Sequence, residues 1–452
     1  MSVNTYNLRM KRLAAGLSVA IGLIGVQAHA FAGVTAVTSC ADDGSSGTLR
    51  LATAGASSGD RIDLSGLSCA GNTIALIQGE LVIEQDVVLY GAPGLGLTIS
   101  NGLGFDRVLR STGTDLSIVN LNISGGAVST KTGDAEGGCI LAAGHVSLTR
   151  SVVSDCVASS AQSSARGGAI SAQSVSLVDS RVSGSSAIST GYYQLARGGG
   201  VYATSLSCTD STLSGNLVSG DSGNGYGQGG GALIPGGDVN LTRCTIDSNA
   251  AGEGGGIMQI VFPGSAPVVT SIQDSTISGN TATFASAGVS VVCSDCIPQT
   301  IRLLNSTVAF NLSPLSYGDG VTTNGVVDAQ SSIIAKNGAE DGAPLADIFA
   351  AGLTGADNLV MATNVKAASG VVTVSEDPLL MSLADNGGPT RTHNIQASSP
   401  AMRMGNNSAS LATDQRGNGY SRSDGGMVDI GAFQSSQPAT GVLTRLPPGK
   451  KR

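Results

Sequence analysis

Hydrophobic and polar residues recur along the middle of this chain in one eleven-residue phrase. The phrase reads apolar-x-apolar-x-x-Ser-x-apolar-x-x-Asn, and six consecutive copies place their Ser positions 29 to 33 residues apart. The residues at this position are Ser151, Ser180, Ser211, Cys244, Ser275 and Ser306. A fixed period in the range of roughly 20–50 residues indicates stacked supersecondary units. We therefore predict a repeat architecture in which like residues of successive copies stack.

Each copy alternates in the manner of strands with one buried face. Val239 and Leu241 alternate with polar neighbours, and Cys244 and Ile246 alternate in the opposite phase. A period of two is typical of a half-buried strand. A corner near residues 242–243 would let both apolar pairs point inward, so we predict two short strands joined by a bend.

Paired glycines introduce a third apolar element after a variable loop in each copy. They are Gly137–Gly138, Gly167–Gly168, Gly199–Gly200, Gly230–Gly231 and Gly255–Gly256, and a weaker Ala287–Gly288 continues the row. Three short strands per coil predict an all-β parallel β-helix, which we take as right-handed because parallel crossovers almost always are. A propeller blade is the alternative, but the coil is too short and lacks aromatic blade markers.

The last position of the phrase predicts a ladder of asparagines inside the stack. Its members are Asn216, Asn249, Asn280, Asn311 and Asn337. In stacked coils each side-chain amide can bond to its neighbour and to the turn backbone. Asparagine also tolerates the left-handed conformation that a corner requires.

The chain divides into four predicted parts. Residues 1–30 contain a basic n-region, an apolar stretch and an Ala-x-Ala site, typical of a secretory signal peptide. An N-terminal membrane anchor is the alternative, although the apolar run is short for a span. We predict a β-helix with an N-terminal cap over 31–365, a C-terminal cap domain over 366–434 and a disordered tail over 435–452. We expect the exported chain to be a monomer without a transmembrane segment.

The charge of the chain excludes one class of partner. There are 24 basic and 32 acidic residues, and residues 1–30 hold three of the basic ones, so the exported chain has a net charge of −11. Basic residues cluster only at Lys450–Arg452. Nucleic acid is therefore not expected as a partner, because its binding depends on phosphate neutralisation.

Eight cysteines in an exported chain predict disulfides. Cys40 and Cys69 flank the first segment, and we expect them to pair and tie down the N-terminal cap. Cys293 and Cys296 are close enough for a small-loop disulfide, with a zinc site as the alternative. The pairing of the four cysteines inside the repeats is open; they are Cys139, Cys156, Cys208 and Cys244.

The repeats resemble those of the polymorphic outer membrane proteins, which are bacterial β-helical surface proteins. Gly167–Ile170 and Gly230–Leu233 fit the GGA[ILV] motif of those repeats. The companion Phe-x-x-Asn motif is matched only weakly, by Phe310–Asn311. This resemblance implies a surface or secreted β-helix.

The C-terminal part resembles the terminal domain of bacterial "choice-of-anchor Q" proteins over residues 377–433. The matching segments are Asp377–Leu380, Leu383–His393, Ser398–Ala401, Thr413–Gly417 and Val428–Phe433. The resemblance implies a secreted bacterial protein at the cell surface, outside the cell or in the periplasm, but no established activity. The tail after Phe433 has no sorting signal and no apolar span, so release from the cell is as consistent with it as anchoring.

A row of polar residues precedes the paired glycines and is our candidate ligand site. It consists of Glu136, Arg166, Arg197, Gln228 and Glu253. Stacking of the coils would bring these side chains together along one edge. The alternative is a solvated ladder of ion pairs between coils, which the absence of a recurrent pair of aspartates favours.

Loops beside this row supply candidate contacts for a sugar or a protein. Tyr192, Tyr193 and Tyr226 lie in the two longest loops of the same edge, and loops carry function more often than cores do. Simple solvent exposure is the alternative for all three tyrosines.

Neither metal binding nor catalysis has a clear signature. Calcium is considered at the acidic residues of the C-terminal motif, which serve equally well as turn and cap residues; these are Asp377, Asp385, Asp414 and Asp429. No other cofactor is indicated. After the signal peptide, the only histidines are His145 and His393, which we expect to be structural, with a Ser-His-Asp triad as the unsupported alternative.

Three functions follow from these observations. The leading hypothesis is a secreted or surface protein that binds a glycan or a partner protein without catalysis. The alternatives are a polysaccharide lyase or glycoside hydrolase on a pectin-lyase-like β-helix, and a passive structural protein. A groove with calcium and paired carboxylates would favour the enzyme, and a tyrosine-lined groove without paired acids would favour binding.

Overall fold

The computed structural model describes residues 33–220, 227–264, 268–293, 299–313, 319–338, 346–368 and 372–435. All of these residues belong to one compact unit, Phe31–Arg452. The predicted signal peptide (1–30), Tyr226, Cys296 and the predicted tail beyond Ser435 lie outside the described residues. In the described part of the chain, no helix is long and apolar enough to cross a membrane.

The predicted parallel β-helix is confirmed: the described strands stack coil upon coil into three parallel sheets. Sheet 1 takes two strands from most coils and has 20 strands among the described residues. They are Val34–Ala36, Asp60–Asp63, Leu81–Ile83, Val87–Tyr90, Leu109–Ser111, Asp115–Val119, Ile140–Ala142, His145–Thr149, Ile170–Val178, Val201–Thr209, Ala232–Pro235, Val239–Thr242, Ile257–Val261, Thr270–Gln273, Val289–Cys293, Thr300–Leu304, Val321–Thr323, Val326–Gln330, Ile348–Ala356 and Thr363–Ala368. The glycine-led strand and the first strand of the next coil therefore belong to one sheet. The prediction of three strands per coil did not include this sharing.

Sheet 2 carries the second strand of the phrase and has 12 strands among the described residues. They are Thr73–Leu76, Thr98–Asn101, Asn122–Ser124, Val152–Ser154, Arg181–Ser183, Thr212–Ser214, Thr245–Asp247, Thr276–Ser278, Thr307–Ala309, Ile333–Ala335, Asn358–Val360 and Val372–Val374. The corner between sheets 1 and 2 lies where the alternation changes phase, and Arg243 adopts a φ of 54° there. This bend turns Leu241 and Ile246 into the same core, where both are buried.

Sheet 3 forms what we call the flange, a narrow excursion of the chain where only a variable loop was predicted. Its ten described strands run outward and back in successive coils. They are Ala127–Thr130, Ala135–Glu136, Val157–Ser160, Ala165–Arg166, Ser186–Ser189, Ala196–Arg197, Leu217–Ser219, Gly227–Gln228, Ala250–Glu253 and Thr281–Ala285. Small side chains such as Ala135, Ala158 and Ala165 pack together in this excursion, so the outgoing and returning strands can lie close to each other.

The paired glycines are explained by this close approach. A Cβ atom at Gly230 would overlap the carbonyl oxygens of Gly255 and Ala250, so no larger residue fits where the chain leaves the flange. The preceding Gly229 has a φ of 71°, a left-handed conformation that glycine adopts without steric penalty. The paired glycines are therefore required by the tight passage of the chain from the flange into sheet 1.

Two polar ladders run through the interior of the stack. In the asparagine ladder, Asn249 donates from its backbone N–H and from Nδ2 to Oδ1 of Asn280, at 3.1 and 2.9 Å. The same pattern repeats up to Asn337, whose N–H and Nδ2 donate to the buried carboxylate of Asp347. In the second ladder, backbone N–H groups donate to the hydroxyl one coil on, as Ser275 does to Ser306. These bonds give partners to backbone and amide groups at the buried corners, whose burial without a hydrogen bond would destabilise the fold.

Three disulfides have both cysteines among the described residues, and they lie within or between neighbouring coils. Cys40 bonds to Cys69, and the adjacent helix Leu49–Ala54 packs on the first coils; the short 3-10 helix Ala70–Asn72 follows. The two other pairs, open in the sequence, are Cys139–Cys156 and Cys208–Cys244. Cys293 is also disulfide-bonded, while its expected partner Cys296 lies outside the described residues.

Residues 375–435, which include most of the segment predicted as a C-terminal cap (366–434), lie along the outer face of sheet 2 over the later coils. Outward threonines of successive coils hold the segment: Thr245 donates to Arg391 O at 2.7 Å and Thr276 to Gln415 Oε1 at 2.5 Å. The N–H of Ala432 donates to Thr307 Oγ1 at 3.0 Å. A small apolar cluster completes the contact; its members include Ile333, Ala335, Leu359, Ile395, Ala401 and Ile430. The segment thus covers a flank of the solenoid.

Candidate functional site

The five polar residues singled out in the sequence form one column on the returning strands of the flange. Strand pairing places Glu136 beside Arg166, Arg166 beside Arg197, Arg197 beside Gln228 and Gln228 beside Glu253. Adjacent coils of a parallel sheet are about 4.8 Å apart, so neighbouring side chains are within reach of each other. Each of these residues follows an alanine or a glycine that is buried inside the flange. Because successive residues of a strand face opposite sides, the polar side chain points outward.

At the N-terminal end of this flange column, an arginine is paired with two carboxylates. Arg166 Nη1 donates to Glu136 Oε1 and to Asp134 Oδ2, both at 2.7 Å. Burial by itself would lower the pKa of Arg166, but the bond to Glu136 and the charges of Glu136 and Asp134 raise it. Arg166 is therefore a fully charged residue that already has two counter-charges.

Arg197, one coil further on, has a different environment. Its Nε donates to Gln228 Oε1 at 3.3 Å, and no carboxylate pairs with it among the described residues. Burial is the main cause that lowers the pKa of Arg197, and the neighbouring Arg166 charge lowers it further. Gln228 in turn donates to Glu253 at 3.4 Å. Arg197 is thus a half-buried cation whose neighbours on the column are a cation and a neutral amide.

Aromatic side chains border this part of the column. Tyr192 and Tyr193 are 67% and 70% exposed at the tip of the same coil, with ring centroids 4.1 Å apart. Tyr193 has a φ of 58°, which is uncommon for a bulky residue and indicates that the tip is held in a strained conformation. Tyr202 lies under Arg166, 5.9 Å from its guanidinium carbon. Tyr226 lies outside the described residues.

Two charged residues that sequence reasoning missed lie next to the N-terminal end of the column. Arg107 donates to the backbone oxygens of Glu136 and Gly137, the latter at 2.9 Å, and pairs with Glu80. Arg107 and Glu80 stand at the repeat spacing, 29 and 56 residues before Glu136. The spacing was therefore present in the sequence, but these coils lack the paired glycines by which the row was recognised. Asp134 was also missed, because it belongs to a flange tip.

The other candidate residues have protein partners. His145 Nδ1 bonds to Ser174 Oγ at 2.8 Å, and His393 lies buried between Ser278 Oγ and Met381 O. The four aspartates considered for calcium accept from the donors Leu379 N, Gly387 N, Gln434 N and Ser435 N, respectively. In the described part of the chain, no group of three or more His, Cys, Asp or Glu residues could hold a metal ion.

Comparison with known proteins supports the fold. No protein-family model matches the chain, and no curated protein matches its sequence. Among solved structures, the crystal structure of pectate lyase Pel9A is similar, with a TM-score of 0.50 and 10% sequence identity over 90% of this chain and 97% of that one. At this identity the likeness shows a shared parallel β-helix fold. The resemblances to polymorphic outer membrane protein repeats and to choice-of-anchor Q proteins stay predictions.

Proposed function

We propose that this chain is an exported β-helical protein that binds a polysaccharide on its flange without cleaving it. The observation that carries the proposal is the exposed Tyr192–Tyr193 pair at the flange tip of the coil that also carries Arg197. Tyrosine rings offer an apolar face together with a polar hydroxyl, which suits the mixed surface of a sugar. The fold, shared with a pectate lyase, supports an extended ligand of this kind.

Export rests on two observations. The residues 1–30 have the pattern of a signal peptide, and the described part of the chain contains three disulfides, which persist in oxidising compartments. Location at a bacterial surface, as the resemblance to choice-of-anchor Q proteins implies, belongs to the same proposal.

A second candidate function is polysaccharide lyase activity, and the environment of Arg197 favours it. Arg197 is the candidate base because it is half-buried and has no carboxylate partner among the described residues; burial and the charge of Arg166 also lower its pKa. In a β-elimination this residue would take the C5 proton of a uronate while the C4–O bond to the leaving sugar breaks and that oxygen takes a proton from water. The product would carry a C4–C5 double bond.

One experiment separates these functions. The full chain is incubated with a panel of plant, algal and bacterial polysaccharides, with and without Ca²⁺, and both retention and new reducing ends are measured. Retention without new ends supports binding, and unsaturated ends support the lyase. The variant Tyr192→Ala/Tyr193→Ala should lose retention, whereas Phe105→Ala, which removes another exposed ring (69% exposed), should not. Absence of any retention or cleavage would refute both and leave a partner protein or a passive role.

A further inference from the structure

We infer that the glycan bound by the flange is anionic, and that its acidic group binds at Arg197. This inference rests on the proposed function and adds the chemical class of the ligand. The class is defined by an acidic group on the sugar, a carboxylate or a sulfate.

The charges of the flange column are opposite at one step and alike at the next. Glu136 and Arg166 stand in register and form an ion pair. The next residue in register, Arg197, has the same sign as Arg166. Like charges directly opposite on adjacent strands are destabilising. Arg166 has Glu136 and Asp134 as counter-charges, whereas Arg197 has no carboxylate partner among the described residues, so an anion at Arg197 would supply the missing counter-charge.

The two arginines at this step differ in what they can offer. Arg166 is held by Glu136 and Asp134, each at 2.7 Å. Within the described part of the chain, Arg197 donates only from Nε, to Gln228. Its terminal nitrogens have no hydrogen-bond partner there and the guanidinium is only half-buried, so these nitrogens can bind a ligand. A guanidinium presents paired donors that match the two oxygens of a carboxylate or sulfate.

The position of Arg197 also fits an extended ligand. Its coil carries the Tyr192–Tyr193 tip, so a sugar ring stacked on the tyrosines would place a substituent near the guanidinium. Since the surrounding chain is acidic overall, binding of an anionic polymer needs such a local cation. Screening by salt should weaken this contact because the site is open to solvent.

The test measures the retention of the full chain by three soluble polymers in affinity electrophoresis. Polygalacturonate supplies carboxylates, dextran sulfate supplies sulfates, and dextran is neutral. The variant Arg197→Gln removes the proposed contact and copies the side chain of the next coil. The control is Arg181→Gln, which removes a more exposed arginine charge on sheet 2, where its Nη2 donates to Ser214 Oγ. A third variant, Glu136→Gln, frees Arg166 from one of its two carboxylates.

Arg197→Gln should weaken retention by an acidic polymer about tenfold, the equivalent of about 1.4 kcal/mol, with Arg181→Gln close to the unmodified chain. Glu136→Gln should strengthen retention, a gain that misfolding would not produce. Binding to one acidic polymer alone identifies the acidic group, and binding to both shows that either is accepted. Equal losses for the two arginine variants, or retention by dextran alone, would overturn the inference but leave glycan binding intact. Failure of all three polymers to bind would remove the proposed function as well.

Discussion

Replacement of Asp274 by asparagine should remove a pH-dependent weakness where the C-terminal segment meets the solenoid. Asp274 lies at the corner between sheets 1 and 2 and is 2% exposed, and Arg422 of the segment is completely buried. Arg422 Nη1 and Asp274 Oδ1 are 3.5 Å apart, and Oδ1 has no hydrogen-bond partner in the described structure. The pair is therefore poorly compensated for its loss of water.

Burial raises the pKa of Asp274 to about 7; the charges of Arg422 and Arg243 oppose this rise, and that of Asp414 adds to it. Relative to the ordinary value of 3.8, the raised pKa corresponds to about 4 kcal/mol. Because the folded chain holds the proton more tightly, the contribution of Asp274 is most favourable below about pH 4 and declines as the pH rises to about 7. Asparagine imitates the protonated acid and tolerates the local φ of 44°, as Asn305 does one coil on.

Hydrogen exchange of the segment provides the assay. The N–H of Gly431 donates to Ser331 O across the contact, so its protection reports how firmly the segment is docked. At each pH the unmodified chain is compared with Asp274→Asn, so that intrinsic exchange rates cancel. Protection should be similar at pH 4, and the variant should be better protected at pH 8 by up to a hundredfold to a thousandfold, on the order of 3–4 kcal/mol.

The control is Asp155→Asn, which removes an exposed charge at the corner between sheets 2 and 3, where φ is 57°. This variant should leave the protection of Gly431 unchanged at both pH values. Equal pH profiles for Asp274→Asn and the unmodified chain would refute the reasoning. Lower protection of Asp274→Asn at pH 8 would show instead that the ion pair stabilises the contact.

Three further predictions concern the solenoid and its flank. Asn280→Ala should lower the free energy of unfolding by on the order of 4 kcal/mol, because several buried groups of adjacent coils lose their partners; urea titration followed by circular dichroism measures this. Gly230→Ala should reduce the yield of folded protein, because its Cβ would overlap backbone, whereas Gly66→Ala has open space and should be tolerated; soluble expression of the pair decides. Burial lowers the pKa of His393 from 6.5, so its contribution to stability should be complete above pH 6.5 and decline below it; urea midpoints of His393→Asn and the unmodified chain, compared from pH 5 to 8, test the sign.

The sequence predicted those features that depend on stacking alone. The period, the phase change near Arg243 and the asparagine row follow from local alternation, and each reappears in the strand register. The flange strands were not predicted, because segments such as Val157–Ser160 are short and rich in serine and alanine, with weak strand character. Their packing becomes apparent only when neighbouring coils are in place.

The candidate site shows the same limit. Repeat spacing identified which residues stack, but the ion pairs of Arg166 involve Asp134, which lies in a flange tip outside the repeat. The position of residues 375–435 on a flank was also beyond sequence reasoning, since it depends on contacts between residues more than a hundred positions apart, such as Thr245 and Arg391. Such contacts leave no periodic signal in the chain.

The flange separates the part of each coil that must stay constant from the part that is free to vary. Successive tips between outgoing and returning strands hold four, four, six and seven residues, and the next coil runs straight through in Ala250–Glu253. Despite these differences, the returning residues stay in register from Glu136 to Glu253. A tip can therefore gain or lose residues without shifting the coils on either side. In evolution, new surface chemistry can arise in the tips while the solenoid that folds and carries them is left unchanged.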